Sequence, residues 1–278
     1  AEKVGFGFDV SYYTQQIAMA KAGEVITIQM EDREPEVTLK TLEKEFFSDV
    51  LGQCDSPHTA DANRTTNLEL ACKAINGTIL NPGEEFSFNG VVGERTKEKG
   101  YKPATVYASG GKSEESEGGG ICQVSSTLYN AVLYANLEIV ERACHQFQVG
   151  YLPWGMDATV SWGGPEFKFK NNREFPVKIV TKCKNRQLTV EIWGTDVDGS
   201  YVKMDYSAWT VYDTTYPSVA IGTGAVTYRC VYDKDGELIS EELISGTPKP
   251  SPDSKRIIEF DNGKYEGEVG FSGKRHGK

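Results

Sequence analysis

The residues best suited to chemistry form one run, Gly118-Gly119-Gly120-Ile121-Cys122-Gln123. Val124, Leu128, Ala131, Val132 and Ala135 follow at helical spacing, which predicts an amphipathic helix over residues 123–135 directly behind the cysteine. A thiol at a helix N-terminus lies beside unpaired backbone N–H groups and the positive end of the helix dipole, which favour thiolate over thiol. The N–H groups of this loop, at Gly119, Gly120 and Gln123, suit the oxyanion formed when a carbonyl is attacked. The same spacing also fits a buried structural cysteine behind a flexible loop.

A thiol nucleophile needs a base, and the chain holds three histidines. His276 sits in the basic Lys274-Arg-His-Gly-Lys segment, and His58 lies in a loop rich in Pro and Asp. His145 follows the cysteine helix after one short connection, so it is the base of choice; a hydrogen-bonded strand histidine is the plainer alternative. Asp157, in Trp154-Gly-Met-Asp-Ala-Thr, is the candidate to orient the imidazole, against a role as a turn residue. Arg64 suits a substrate carboxylate, against a place in a helix cap. Tyr129 and Trp154 could line a groove, although aromatics are more often core. Glu114, Glu115 and Glu117 read as a solvated loop face rather than paired catalytic carboxylates.

The elements that must position these groups divide the chain into four parts. Residues 1–50 read as a small α/β segment, with a strand at Gly23 to Met30 and a helix at Thr38 to Phe47. The end of a truncated domain would look like this. Residues 51–204 form the expected catalytic domain. Leu68, Ala71, Cys72 and Ile75 mark its first buried helix face, with Thr66 as cap and Gly77 after the end. Gly110 to Gly120, with five glycines and three glutamates, reads as a flexible acidic loop. From Phe167 the period changes to two, through Val177, Ile179, Leu188, Val190 and Ile192, with a hairpin turn at Lys184-Asn185 and another at Asn171-Asn172. Residues 205–252 continue as hairpins, with a turn at Lys234-Asp235-Gly236, and end in the linker Pro248 to Pro252. Residues 253–278 change character, with regularly placed glycines around Tyr265. The fold class is therefore α+β: mainly antiparallel sheet with a few helices, one of them behind the Gly-rich cysteine motif, plus a β-rich C-terminal extension.

Composition limits the function. The 278 residues carry a formal net charge of -10, and the 30 Lys and Arg are scattered, which argues against nucleic-acid binding. No apolar run approaches the ~18–20 residues of a membrane-spanning helix. The N-terminal Ala1-Glu-Lys shows no leader, so any signal or anchor is expected outside this sequence. Six cysteines with no C-x-x-C spacing argue against a metal site and permit up to three disulfides in an oxidising compartment.

Five stretches resemble the VanW family: Asn63-Arg-Thr-Thr-Asn-Leu, Ile75-Asn-Gly-Thr-Ile-Leu-Asn-Pro-Gly-Glu-Glu-Phe-Ser-Phe-Asn, Val92-Gly-Glu-Arg-Thr, Gly118-Gly-Gly-Ile-Cys-Gln-Val-Ser-Ser-Thr-Leu-Tyr-Asn-Ala, and Asp157-Ala-Thr-Val with Phe167-Lys-Phe-Lys-Asn-Asn. The resemblance covers about residues 51–195. It implies a peptidoglycan L,D-transpeptidase that joins donor and acceptor stem peptides through a thioester on Cys122, without metal or organic cofactor, outside the bacterial cytoplasm. The family usually places a histidine near His145, but here Ala143-Cys144 stand where His-Pro is expected. Tyr265-Glu-Gly-Glu with Gly273-Lys-Arg-His-Gly-Lys resembles the opening of a MORN repeat. Two other readings of the residues stay open: a noncatalytic peptidoglycan-binding module, and a cysteine carboxypeptidase or peptidase acting on cell-wall peptides.

Overall fold

The structure is a computed structural model that describes residues 5–33, 45–107, 113–145, 149–153, 155–212, 215–216, 218–245, 259–260 and 265–268. It contains two compact units, Ala1–Phe46 and Phe47–Lys278.

In the first unit the strands Gly5–Gly7 and Glu31–Arg33 pair antiparallel. Between them runs the helix Val10–Met19, which the sequence pattern did not reveal. Asp9 caps it by accepting from Tyr12 N at 2.9 Å. The strand expected at Gly23 to Met30 does not form: Gly23 turns with φ +91°, and Gln29 N donates to the Tyr13 hydroxyl instead of to a neighbouring strand. Most of the helix expected at Thr38 to Phe47 lies outside the described residues.

The second unit is built on a four-stranded antiparallel sheet, ordered Asp49–Pro57, Gln187–Gly194, Val177–Lys184 and Ile79–Leu80. Alternation buries Ile179, Leu188, Val190 and Ile192 fully. The hairpin between its two long strands turns at Asn185-Arg186, one residue later than expected. Both residues take positive φ (55° and 61°), as a tight primed turn requires. Two helices, Ala62–Ile75 and Ile121–Tyr134, pack against the sheet. Gly52 makes the second contact possible, because a Cβ there would overlap Ala131 O and Ala135 N. The Ala62–Ile75 helix begins four residues before Thr66. Asp61 is the cap, accepting from Arg64 N at 2.7 Å, while the Thr66 hydroxyl turns back to Ala62 O.

A three-stranded sheet, Glu85–Ser87, Lys168–Lys170 and Glu138–Glu141, closes the core, with Phe86, Phe167 and Phe169 in ring contact. Asn171-Asn172 is not a hairpin turn, since the strands on either side belong to different sheets. The buried Asn171 side chain instead donates to Leu80 O and Phe175 O, linking those sheets. The acidic segment is also more ordered than its composition suggests: Ser113–Glu117 pairs with Pro103–Tyr107. The C-terminal extension forms a further antiparallel sheet from Leu238–Ser245, Ala220–Tyr232 and Tyr201–Tyr212. Its Val202, Met204 and Val231 share the core of the same unit. Glu259–Phe260 and Tyr265–Glu268 both pair with Tyr201–Tyr212, and the rest of 253–278 lies outside the described residues. The molecule is thus α+β and mainly antiparallel. No described helix is long and apolar enough to cross a membrane.

Candidate active site

Cys122 is the second residue of the Ile121–Tyr134 helix, and Gly120 caps that helix with φ +103°, a value only glycine adopts readily. All six cysteines are unbridged. Asn67, fully buried on the Ala62–Ile75 helix, fixes the glycine run by donating to Gly119 O and Lys102 O, both at 2.9 Å. The N–H groups of Gly119 and Gln123 are committed to Ser116 O and Gly120 O. Those of Gly120 and Cys122 have no acceptor among the described residues.

The cysteine helix also positions the segment opposite it. Ser125 and Ser126 donate to Ala158 O at 2.6 and 3.1 Å, Ser126 accepts from Ala158 N at 2.9 Å, and Asn130 donates to Met156 O at 2.5 Å. These three polar side chains are fully buried. They hold residues 156–160 alongside the first three turns of the helix. Cys122 Sγ consequently lies 3.4 Å from Val160 O and 3.6 Å from Thr159 Oγ1.

Asp157 belongs to that segment. Its Oδ2 accepts from His145 N at 2.6 Å and lies 2.7 Å from His145 Nδ1. Its Oδ1 accepts from Arg142 Nη2 at 3.1 Å, and Arg142 is braced by the carbonyls of Gly155 and Asp157. A backbone bridge between Ala143 and Thr159 brings the two segments together. With Nδ1 facing a carboxylate, Nε2 is the ring nitrogen left for the thiol, and the His145 ring lies close enough to Cys122 to act on its ionisation.

The electrostatics follow from this row. Burial pushes the Cys122 thiol up, but the neighbouring His145 ring outweighs burial with help from Val160 and Thr159. The thiol pKa therefore falls below its ordinary value. Burial pulls His145 down, while Asp157 and Cys122 raise it to about 9. Burial raises Asp157, yet bonds from His145 and the nearby Arg142 bring it below the usual carboxylate value. The three shifts run in the direction of thiolate, imidazolium and carboxylate in sequence, the state an attacking sulfur needs.

These groups open onto a cavity of about 500 Å³. Arg64 lines it and donates to Gln123 Oε1 at 2.9 Å; Gln123 is itself buried, donating to Ser56 Oγ and Pro57 O. Tyr151 and Trp162 are the aromatics on the wall. Tyr129, expected in the groove, is instead a core residue, 1% exposed. It faces the interior side of the helix, edge-on to Phe167 with the Arg142 guanidinium over its ring. Trp154 lies outside the described residues. The sequence reading missed Arg142, Asn67, Ser126 and Asn130. The last two were discernible only as polar residues at helical spacing on an otherwise apolar helix.

Residues 63–193 match the family model described as VanW like protein. The chain is 46% identical over 146 residues to the "Uncharacterized protein YoaR" of Bacillus subtilis (strain 168), covering 52% of this chain and 48% of that protein. It is 29% identical over 179 residues to the "Vancomycin B-type resistance protein VanW" of Enterococcus faecalis (strain ATCC 700802 / V583), covering 59% of this chain and 65% of that protein. The chain thus spans about half the length of the first relative and 65% of the second. No solved structure matches it. Over residues 63–193 the chain is thus similar to the VanW like protein family.

Proposed function

We propose that the chain acts on cell-wall peptides as a cysteine-dependent L,D-transpeptidase, outside the bacterial cytoplasm. One observation carries the reading: an unbridged Cys122 at a helix N-terminus shares a cavity wall with a His145 that Asp157 orients. The name of the Enterococcus relative ties that protein to vancomycin resistance, and the shared motifs extend a cell-wall context to this chain.

In the first step the Cys122 thiolate attacks the carbonyl between the L-centre of diaminopimelate and the terminal D-Ala of a donor tetrapeptide. The N–H groups of Gly120 and Cys122, which lack internal acceptors, receive the oxyanion. His145 protonates the departing amine, D-Ala leaves, and a thioester remains. In the second step His145, now neutral, takes a proton from the acceptor stem amine as it attacks the thioester, and the thiolate is released. Incubation with disaccharide-tetrapeptide followed by intact-mass spectrometry should show a gain on Cys122 equal to the donor less D-Ala. Binding without a covalent adduct would replace this reading with the noncatalytic module. Release of the acyl group to water even when acceptor stem is present would replace it with the carboxypeptidase.

The four-part division of the chain belongs to the same proposal. The catalytic domain is assigned to residues 51–204, the hairpin tail to 205–252 and the opening of a MORN repeat to 253–278.

A further inference from the structure

Arg95 lines the same cavity as Cys122, and both its terminal nitrogens are shielded from solvent with no hydrogen-bond acceptor among the described residues. Buried guanidinium groups are almost always paired, because five strong donors lose their water when they leave solvent. The cost of that burial shows in Arg95, whose pKa burial holds below the usual arginine value. Neighbouring groups relieve it only in part, by charge and without a hydrogen bond to the terminal nitrogens. Glu166 is close enough to interact by charge, but its oxygens already accept from Ser87 Oγ, Asn89 N and Phe167 N. Glu94 and Glu117 line the cavity from exposed positions. The cation is held in place with no hydrogen-bonded counterion at its terminal nitrogens: the Phe88 ring centre lies 5.6 Å from Arg95 Cζ, and the Arg95 Cβ and Cγ cover Gly118 at the start of the cysteine loop. It is also near enough to Cys122 for the two charges to interact.

We propose that Arg95 is a carboxylate-binding residue of this cavity, its guanidinium taking a carboxylate that the peptide substrate carries close to the amide attacked by Cys122. Rotation about the outer torsions of the side chain turns the paired nitrogens toward a ligand, and the planar fork then matches a carboxylate with two parallel bonds. Arg64, engaged with Gln123, has less to offer such a ligand. The inference rests on the proposed function for its substrate: two carboxylates, that of the terminal D-Ala and the side-chain carboxylate of diaminopimelate, lie near the scissile amide.

The test uses two alkylating probes that differ only in a carboxylate, iodoacetate and iodoacetamide. In each the thiolate sulfur bonds to the methylene carbon and iodide departs with the electron pair of its bond. Rates are read at Cys122 by peptide mapping. Arg95→Gln should lower the iodoacetate-to-iodoacetamide rate ratio on the order of tenfold, the effect of one charge-assisted pair; His145 acts on both proteins and cancels in the comparison. Arg64→Gln should lower it less. An unmoved ratio in folded Arg95→Gln overturns the proposal. Should that variant not fold, the unaltered chain decides: N-acetyl-D-alanine should slow iodoacetamide at Cys122 and N-acetyl-D-alaninamide should not, and equal protection by the two overturns the proposal. Tetrapeptides amidated at either carboxyl, used as protectants, then separate the sources. The amidation that weakens protection identifies the bound group, and protection unaffected by both is a refutation. No arm requires turnover, so a missing acyl-enzyme would remove the transpeptidase reading while leaving Arg95 assigned.

Discussion

The unit Phe47–Lys278 contains two thiol–imidazole neighbours, and they differ in everything except that adjacency. Cys183 Sγ lies 3.7 Å from His58 Nε2, while Cys122 and His145 face one cavity and influence each other's ionisation. Cys183 sits in a strand, whereas Cys122 sits at the first turn of a helix. The far nitrogen of His58 faces the carbonyl of Thr59; that of His145 faces the carboxylate of Asp157. Burial, with Glu69 adding to it, raises the Cys183 thiol, and the Cys122 thiol is lowered. Proximity of sulfur and imidazole is therefore not what makes a nucleophile. The carboxylate behind the ring stabilises the imidazolium, and only then does the ring draw the proton from sulfur.

The contrast can be broken most sharply by deleting each sulfur. Cys122→Ala should abolish the acyl adduct seen by intact mass with disaccharide-tetrapeptide, and Cys183→Ala should leave it intact. Next in size, Asp157→Asn removes the anion that separates the two pairs. Cross-linking should fall about 10²–10⁴-fold, and the alkylation profile of Cys122 should move toward higher pH; an unshifted profile would mean the carboxylate does not sustain the ion pair.

The pH dependence of the unaltered chain provides a third, smaller contrast. A thiol with a lowered pKa ionises earlier, so iodoacetamide should reach its plateau rate at Cys122 below the ~8.5 of a free cysteine. A raised thiol ionises later, so Cys183 should respond only above that pH. Because His145 keeps its proton up to about 9, turnover that depends on it as an acid should decline as pH rises through that value. The smallest effect is expected at Ser126, which only braces Asp157 through Ala158. Ser126→Ala orphans the buried Ala158 N–H and should destabilise the fold by about 1–3 kcal/mol, measured by urea unfolding, with a lesser loss of cross-linking.

How much of this was readable in the sequence depended on distance along the chain. The Gly118–Gly120 run and the apolar stripe behind it are local, so the cysteine helix could be placed to within two residues. His145 and Asp157 are twelve residues apart, legible only by residue type and by place after the cysteine helix; the structure sets Asp157 against His145 and sets His145 with Cys122 on one cavity. Arg142 and Asn67 act through carbonyls and carboxylates of other segments, which no spacing rule reports. The Ser113–Glu117 strand was hidden because its register with Pro103–Tyr107, rather than burial of apolar side chains, orders it. Tyr129 was misassigned because a helix face was taken for a groove wall. Gly23 to Met30 failed as a strand because the Tyr13 hydroxyl competes for its backbone.

One helix carries the sulfur at its head and, through Ser125, Ser126 and Asn130, holds the strip that bears Asp157, while Gly52 lets that helix sit directly against the sheet. The sulfur and the Asp157 strip are thereby referenced to a single rigid element rather than to two separately anchored loops. The hairpin formed by Pro103–Tyr107 and Ser113–Glu117 is fastened to the other side of the same rod's head, because Ser116 O accepts from Gly119 N, so the glycine run is the splice between cavity wall and sulfur.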